Sequence, residues 1–237
     1  MPSFLSALKS QVGRKILTAI TGIGLVVFVI FHLIGNLKIF GAADAFNSYT
    51  YFLESLGWIL YILEIGLAIC FLLHAWIGIS IWLKRRRSRP KGYKKYESKQ
   101  PNLNHAQKHN DWAARTMIIS GIIILAFLIW HLVTFKWGPT DPIMVDGIQM
   151  RNLKALVIAK FQNPWIVFSY TAVMILLGIH LKHGFWSAIT SLSMKRKQYS
   201  TTVYVIGIII GILLAVGFFF IPLYIYFTGG QGALIAY

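Results

Sequence analysis

The chain has 237 residues, of which 57% are hydrophobic and only 13% are charged. A soluble domain usually has about 25% charged residues, and here the apolar residues come in long runs, so the sequence predicts an integral membrane protein with a single domain, residues 1–237. The net charge of +16 would suggest nucleic-acid binding in a soluble protein. The basic residues lie between apolar runs, however, so membrane topology explains them better and no nucleic-acid partner is expected.

Five apolar runs are long enough to cross a bilayer as helices. The fifth run contains neither a histidine nor a charged residue, which predicts a packing helix. The sequence therefore predicts an all-α integral membrane protein, a bundle of five transmembrane helices with spans at about residues 14–40, 57–83, 112–137, 164–190 and 201–226.

The connections between these runs are polar. A short polar connection around Asp44 and Asn47 follows the first span, and residues 84–111 are expected to form a cytoplasmic loop that includes His105 and His109 as surface residues. Residues 138–163 are expected to form an outer loop, with Gly-Pro and Asp-Pro turn signals. Within that loop, residues 152–161 predict a short interfacial amphipathic helix.

The distribution of basic residues predicts the orientation. Eighteen lysines and arginines fall on the side of the N-terminus and of loop 84–111, and five fall on the other side. Because cytoplasmic loops carry the excess of Lys and Arg, the N-terminus is expected in the cytoplasm.

Each of the first four spans carries a histidine at a similar depth, namely His32, His74, His131 and His180. Each lies roughly 23–26 Å along its helix, at 1.5 Å per residue. Because successive spans run in opposite directions, His32 and His131 share a level near the outer face, and His74 and His180 share a level near the cytoplasm. Two stacked haems with two histidine ligands each would require this pattern. The alternative for any single intramembrane histidine is a hydrogen bond between helices.

Two further ionisable residues in the spans leave alternatives open. His183 follows His180 by three residues and so lies on roughly the same helix face, and depth alone does not separate the two as ligands. Glu64 is an intramembrane carboxylate, which is a functional candidate by default. It would equally suit a bond to a neighbouring helix.

Four segments together resemble the five-helix, dihaem cytochrome b subunit of bacterial succinate dehydrogenases and fumarate reductases. The similarity covers all five spans, in the order and spacing of the histidine segments HLIGNLKIF, LLHAWIGISIWLKRRRSRPKGY, RTMIISGIIILAFLIWHL and GIHLKHGFWS. The resemblance implies the membrane anchor of a succinate:quinone oxidoreductase in the bacterial cytoplasmic membrane. Its partners would be a flavoprotein and an iron–sulfur subunit on the cytoplasmic side, in a complex whose higher oligomeric state stays open.

The resemblance also implies the cofactors and the site residues. Electrons would pass between the iron–sulfur subunit and a membrane quinone, often menaquinone, through two b haems. His32 and His131 match the ligands of the distal haem, and His74 and His180 match those of the proximal haem. In the family the ligand precedes a Gly-apolar-aromatic trio by four residues, which here is Gly184–Trp186 and favours His180.

Several polar residues match the family less closely. Glu54 stands where some fumarate reductases of this type carry a glutamate needed for quinol oxidation, although an ordinary interfacial carboxylate would look the same. Gly178 stands where some members carry a glutamate of a proton path, so that path is not expected here. His183, Arg14 and Arg115 are candidate contacts of haem propionates, with snorkelling of the arginines to the membrane surface as the alternative.

The rival interpretation is a polytopic transporter or channel without haem. Broken helices and inverted repeats would support that interpretation, and the sequence shows neither.

Overall fold

Five long helices carry the five apolar runs of the sequence. A computed structural model describes residues 10–42, 44–88, 105–192 and 200–229. Five of its helical segments are long and apolar enough to cross a membrane: Gln11–Phe40, Trp58–Ser88, Thr116–Lys136, Pro164–Ile189 and Val205–Thr228. The chain is therefore a multi-pass, mainly helical membrane protein, and the predicted number of five spans is confirmed, with ends that differ from the predicted ones by up to five residues.

Shorter elements connect the spans. In chain order the elements are α1 (Gln11–Leu37) with a 3-10 turn (Lys38–Phe40), α2 (Ala45–Ser55), α3 (Trp58–Ser88), α4 (His105–His131) with a π turn (Leu132–Lys136), β1 (Pro142–Val145), β2 (Ile148–Arg151), α5 (Leu153–Phe161), α6 (Pro164–Ser191) and α7 (Ser200–Thr228).

The connections are more structured than the sequence predicts. The polar connection after the first span contains helix α2, on which Phe46 is a buried apolar residue that is 5% exposed. Loop 84–111 is shorter than predicted, since α3 continues to Ser88 and α4 begins at His105. His105 and His109 are therefore helical. The middle of that loop, 89–104, lies outside the described residues.

A β-hairpin is the other unpredicted element. Strands β1 and β2 pair antiparallel, with Val145 opposite Ile148. Asp146 and Gly147 connect them with φ angles of 49° and 76°. These are the positive φ values that a two-residue hairpin turn needs, and Asp-Gly is a preferred sequence for it.

The spans form a four-helix bundle with a fifth helix against it. Helix α1 packs against α3 and α6, and α4 packs against the same two helices. Helices α1 and α4 therefore face each other across one diagonal, and α3 and α6 face each other across the other. Helix α7 packs against α6 and α1, so it closes the bundle on one side.

Small residues allow α6 and α7 to approach closely. A Cβ added to Gly178 would lie 2.7 Å from the Cβ of Ala215, and one added to Gly211 would lie 3.2 Å from the carbonyl oxygen of Gly178. Helices in lipid associate through such small residues because close van der Waals packing replaces the hydrophobic effect between them. Gly178 is therefore a packing residue in this chain.

Elements α2, β1–β2 and α5 cover one end of the bundle, which we call the hairpin end. Asn47 on α2 is 2% exposed and lies at its centre. Its side chain donates to Oδ1 of Asn152 at 3.1 Å and accepts from the backbone N–H of Lys154 at 2.9 Å. Helix α5 buries Lys154 together with Val157, so its polar and apolar faces are not separated as the prediction of an amphipathic helix requires.

The opposite end of the bundle, where α1 begins and α3 ends, is the basic end. Arg14 and Lys15 on α1 lie there, as do Lys84, Arg86 and Arg87 on α3. The two ends therefore differ in charge as well as in structure.

We expect Gly178→Ala to lower the free energy of unfolding by about 1–3 kcal/mol, since overpacking of this size forces adjacent helices apart. Gly66→Ala on α3 is the matched control, because an added Cβ there meets no atom within 4 Å. Unfolding of both variants in detergent micelles measures the difference. Equal stability of the two variants would contradict the packing role of Gly178.

Candidate functional site

His32 and His131 meet across the diagonal between α1 and α4. Their ring centres are 5.8 Å apart, and the ring planes are nearly perpendicular, at 86°. The equal depth predicted for these two residues agrees with this contact. Five aromatic side chains surround the pair, namely Phe28 and Phe218 beside His32 and Phe127, Phe135 and Tyr170 beside His131.

This first pair has few polar partners. The Tyr170 hydroxyl lies 3.5 Å from Nδ1 of His131, at the limit of a hydrogen bond. Among the described residues, no hydrogen bond reaches the His32 imidazole, and the rings of Phe28, Phe218 and His131 contact it. An imidazole in such a low-dielectric environment needs a partner, because an unsatisfied polar group in hydrocarbon costs several kcal/mol.

His74 on α3 has a fixed tautomer. Its Nδ1 lies 3.2 Å from the carbonyl oxygen of Thr18 and 3.3 Å from Oγ1 of Thr21, both on α1. A carbonyl oxygen only accepts, so Nδ1 carries the proton and donates it. Nε2 of His74 therefore keeps a lone pair, which is the form of the ring that binds a metal.

His180 on α6 has the same tautomer by a parallel arrangement. Its Nδ1 lies 3.0 Å from Oγ of Ser120 on α4. The Ser120 hydroxyl donates to the Met117 carbonyl at 3.0 Å, so its oxygen is left to accept from the ring. Nε2 of His180 therefore also keeps its lone pair.

His74 and His180 lie on the second diagonal, and each ring packs over a glycine of the neighbouring helix. A Cβ added to Gly22 would lie 3.1 Å from Cε1 of His74, and one added to Gly121 would lie 3.5 Å from Cε1 of His180. Two of the four histidines thus lie on each diagonal, and the rings of His32 and His131 contact each other.

The other candidate ligands and contacts are placed less centrally. His183 is half-buried on α6, one turn beyond His180. Nη1 of Arg14 lies 3.5 Å from Oγ of Ser80 on α3. Arg115 lies in α4, and its side chain is outside the described residues.

Glu64 has a partner that sequence reasoning missed. Its carboxylate forms an ion pair with the ammonium group of Lys136, which ends the π turn after α4. The pair joins α3 to α4 near the hairpin end, where these two helices pack sparsely. The glutamate thus bonds a neighbouring helix, one of the two alternatives that the sequence left open.

Glu54 lines a cleft at the hairpin end. The cleft has a volume of about 320 Å³, and the Glu54 carboxylate lies 3.4 Å from Nη1 of Arg151 on β2. Arg151 also donates to Oγ1 of Thr140 at 3.2 Å and to the Gly138 carbonyl at 3.3 Å. Tyr51 adds a second hydroxyl to the lining, so the cleft offers a carboxylate, a guanidinium and two hydroxyls.

The described residues contain no group of three or more His, Cys, Asp or Glu side chains able to hold a metal ion. Metal sites built from protein alone need three or four such ligands.

Comparison of the chain with models of protein families, with curated proteins and with solved structures finds no match.

Proposed function

We propose that this protein is the membrane-anchor cytochrome b subunit of a succinate:quinone oxidoreductase and holds two b haems between its diagonal histidine pairs. His32 and His131 are the ligands near the hairpin end, and His74 and His180 are the ligands near the basic end. The dicarboxylate chemistry belongs to a partner flavoprotein, and an iron–sulfur subunit connects that flavoprotein to this chain.

The spacing of the first pair carries this proposal. Two opposed imidazoles that bind one metal through bonds of about 2 Å have ring centres about 6 Å apart. The ring centres of His32 and His131 are 5.8 Å apart. This separation is close to that value, which supports the proposal that one iron lies between the two rings. The flat aromatic side chains around it suit the faces and edges of a macrocycle.

The second pair is supported by its hydrogen bonds. A histidine that binds a metal usually donates its other ring N–H to a carbonyl or a hydroxyl, which fixes the tautomer and raises the basicity of the ligand. Thr18 and Thr21 do this for His74, and Ser120 does it for His180. When bound, two six-coordinate b haems supply one-electron transfer and leave no iron position for dioxygen.

The cleft at the hairpin end is the proposed quinone site. A volume of about 320 Å³ suits a small ring, and Glu54 is positioned by Arg151 to exchange a proton with a quinone oxygen. Menaquinone or another quinone would be the substrate.

The positive-inside rule supports an outward-facing hairpin end and a basic end on the cytoplasmic side, where the partner subunits would dock. This orientation suits the bacterial cytoplasmic membrane.

The histidine assignment is tested with His180→Ala and His183→Ala. We expect His180→Ala to bind one haem b per chain and His183→Ala to keep two, because the bond of His180 Nδ1 to Ser120 leaves the Nε2 lone pair of His180 for iron. Haem is quantified per chain from the pyridine haemochrome spectrum of the purified protein.

His183→Ala is the matched control in this experiment, since it removes the same imidazole one helical turn away. Circular dichroism and gel filtration check that both variants keep the helical fold. Loss of haem only from His183→Ala would assign the ligand to His183 and contradict the role given to His180.

Ser120→Ala tests the hydrogen bond to the ligand. Without the acceptor, His180 becomes a weaker electron donor, so the reduced iron is favoured. We expect the midpoint potential of one haem to rise by roughly 20–60 mV, the value of a net hydrogen bond for one electron. Thr171→Val on α6 is the control, because the Thr171 hydroxyl bonds only backbone carbonyls of its own helix. Equal potentials in a redox titration of Ser120→Ala and the native protein would contradict the assignment.

A further inference from the structure

A second cleft opens at the basic end, between the first turns of α1 and the last turns of α3. It has a volume of about 410 Å³ and lies far from the hairpin end. Three cations and one hydroxyl line it beside a single apolar side chain, these residues being Arg14, Ser80, Leu83, Lys84 and Arg87.

The cations of this cleft come from two helices that a hydrogen bond holds together. Nη1 of Arg14 lies 3.5 Å from Oγ of Ser80, and the Ser80 hydroxyl donates to the Ile77 carbonyl at 2.8 Å. The Ser80 oxygen therefore accepts from Arg14 and fixes the guanidinium at the cleft wall. The N-terminus of α1 adds partial positive charge, and no acidic residue occupies its first turn.

No described carboxylate neutralises these three cations. The ion pairs Glu64–Lys136 and Glu54–Arg151 both lie towards the other end of the bundle. Arg86, by contrast, lies over the ring of Trp82 at 5.4 Å and does not line the cleft. The cleft therefore carries concentrated positive charge that attracts an anion.

We propose that this cleft binds the phosphate of an anionic phospholipid such as phosphatidylglycerol. Lys84 and Arg87 follow the apolar part of α3, at the level where lipid phosphates lie, and basic pockets between helices at this depth bind anionic headgroups. Leu83 is 41% exposed and gives the cleft an apolar wall on the membrane side. A lipid satisfies both features, because its phosphate meets the cations while its glycerol and acyl chains meet the leucine.

The test compares two double variants of the full chain, purified with any subunits that accompany it. Lys84→Gln with Arg87→Gln removes two cations of the cleft, and Lys15→Gln with Arg86→Gln removes two cations outside it at the same end. Native mass spectrometry in detergent, with phosphatidylglycerol or phosphatidylcholine added, measures binding. We expect the first variant to bind phosphatidylglycerol about 25-fold more weakly, or about fivefold per charge removed, and the control to keep the native affinity.

Four results would overturn the proposal. Equal weakening in both variants would mean that the charge acts diffusely, and equal binding of phosphatidylcholine would mean that no anion is recognised. Displacement of phosphatidylglycerol by millimolar inorganic phosphate would assign the cleft to a free anion. Unchanged lipid binding with loss of an accompanying subunit from the first variant would assign it to a protein partner. The haem content of each variant is measured as well. An unchanged haem content would mean that a change in lipid binding does not come from the histidine sites, so the lipid proposal and the cytochrome b proposal can fail separately.

Discussion

A neutral imidazole within a membrane has two ring nitrogens, and each must find a partner because the surroundings provide no water. At His74 and His180 the chain itself provides a partner for one of the two nitrogens, through Thr18 and Ser120 respectively. In each of these bonds Nδ1 carries the proton and donates it. Nε2 is therefore unprotonated and keeps its lone pair. The proposed haem sites depend on that second nitrogen, since iron would be its partner.

The helix packing brings His32 and His131 together and places His74 and His180 on the two helices of the other diagonal. Gly178 and Gly211 let α6 and α7 approach closely, and α7 packs on the outside of the group formed by α1, α3, α4 and α6. The remaining four helices pack along the edges of the bundle, and α1 and α4, like α3 and α6, stand opposite each other across it. Side chains that reach inward from opposite helices meet near the bundle axis, as the rings of His32 and His131 do at 5.8 Å.

The length of each apolar run is sufficient to predict the five spans. The depth of each histidine along its helix is sufficient to match His32 with His131. The missed elements are those where a short segment depends on distant partners. Helix α2 is held by the contact of Asn47 with Asn152, and the Glu64–Lys136 pair joins residues far apart in sequence. Neither contact leaves a local pattern. The hairpin is different, because the Asp-Gly turn signal at 146–147 is present in the sequence and could have predicted it.

The most direct measurement is the haem content of the native protein. The purified chain is assayed for protoporphyrin IX iron per polypeptide and for the reduced-minus-oxidised optical spectrum. Two b haems per chain, each six-coordinate and unreactive towards carbon monoxide, are the predicted result. A protein that is folded, shows the expected helix content and contains no haem would contradict the dihaem proposal and favour a transporter or channel.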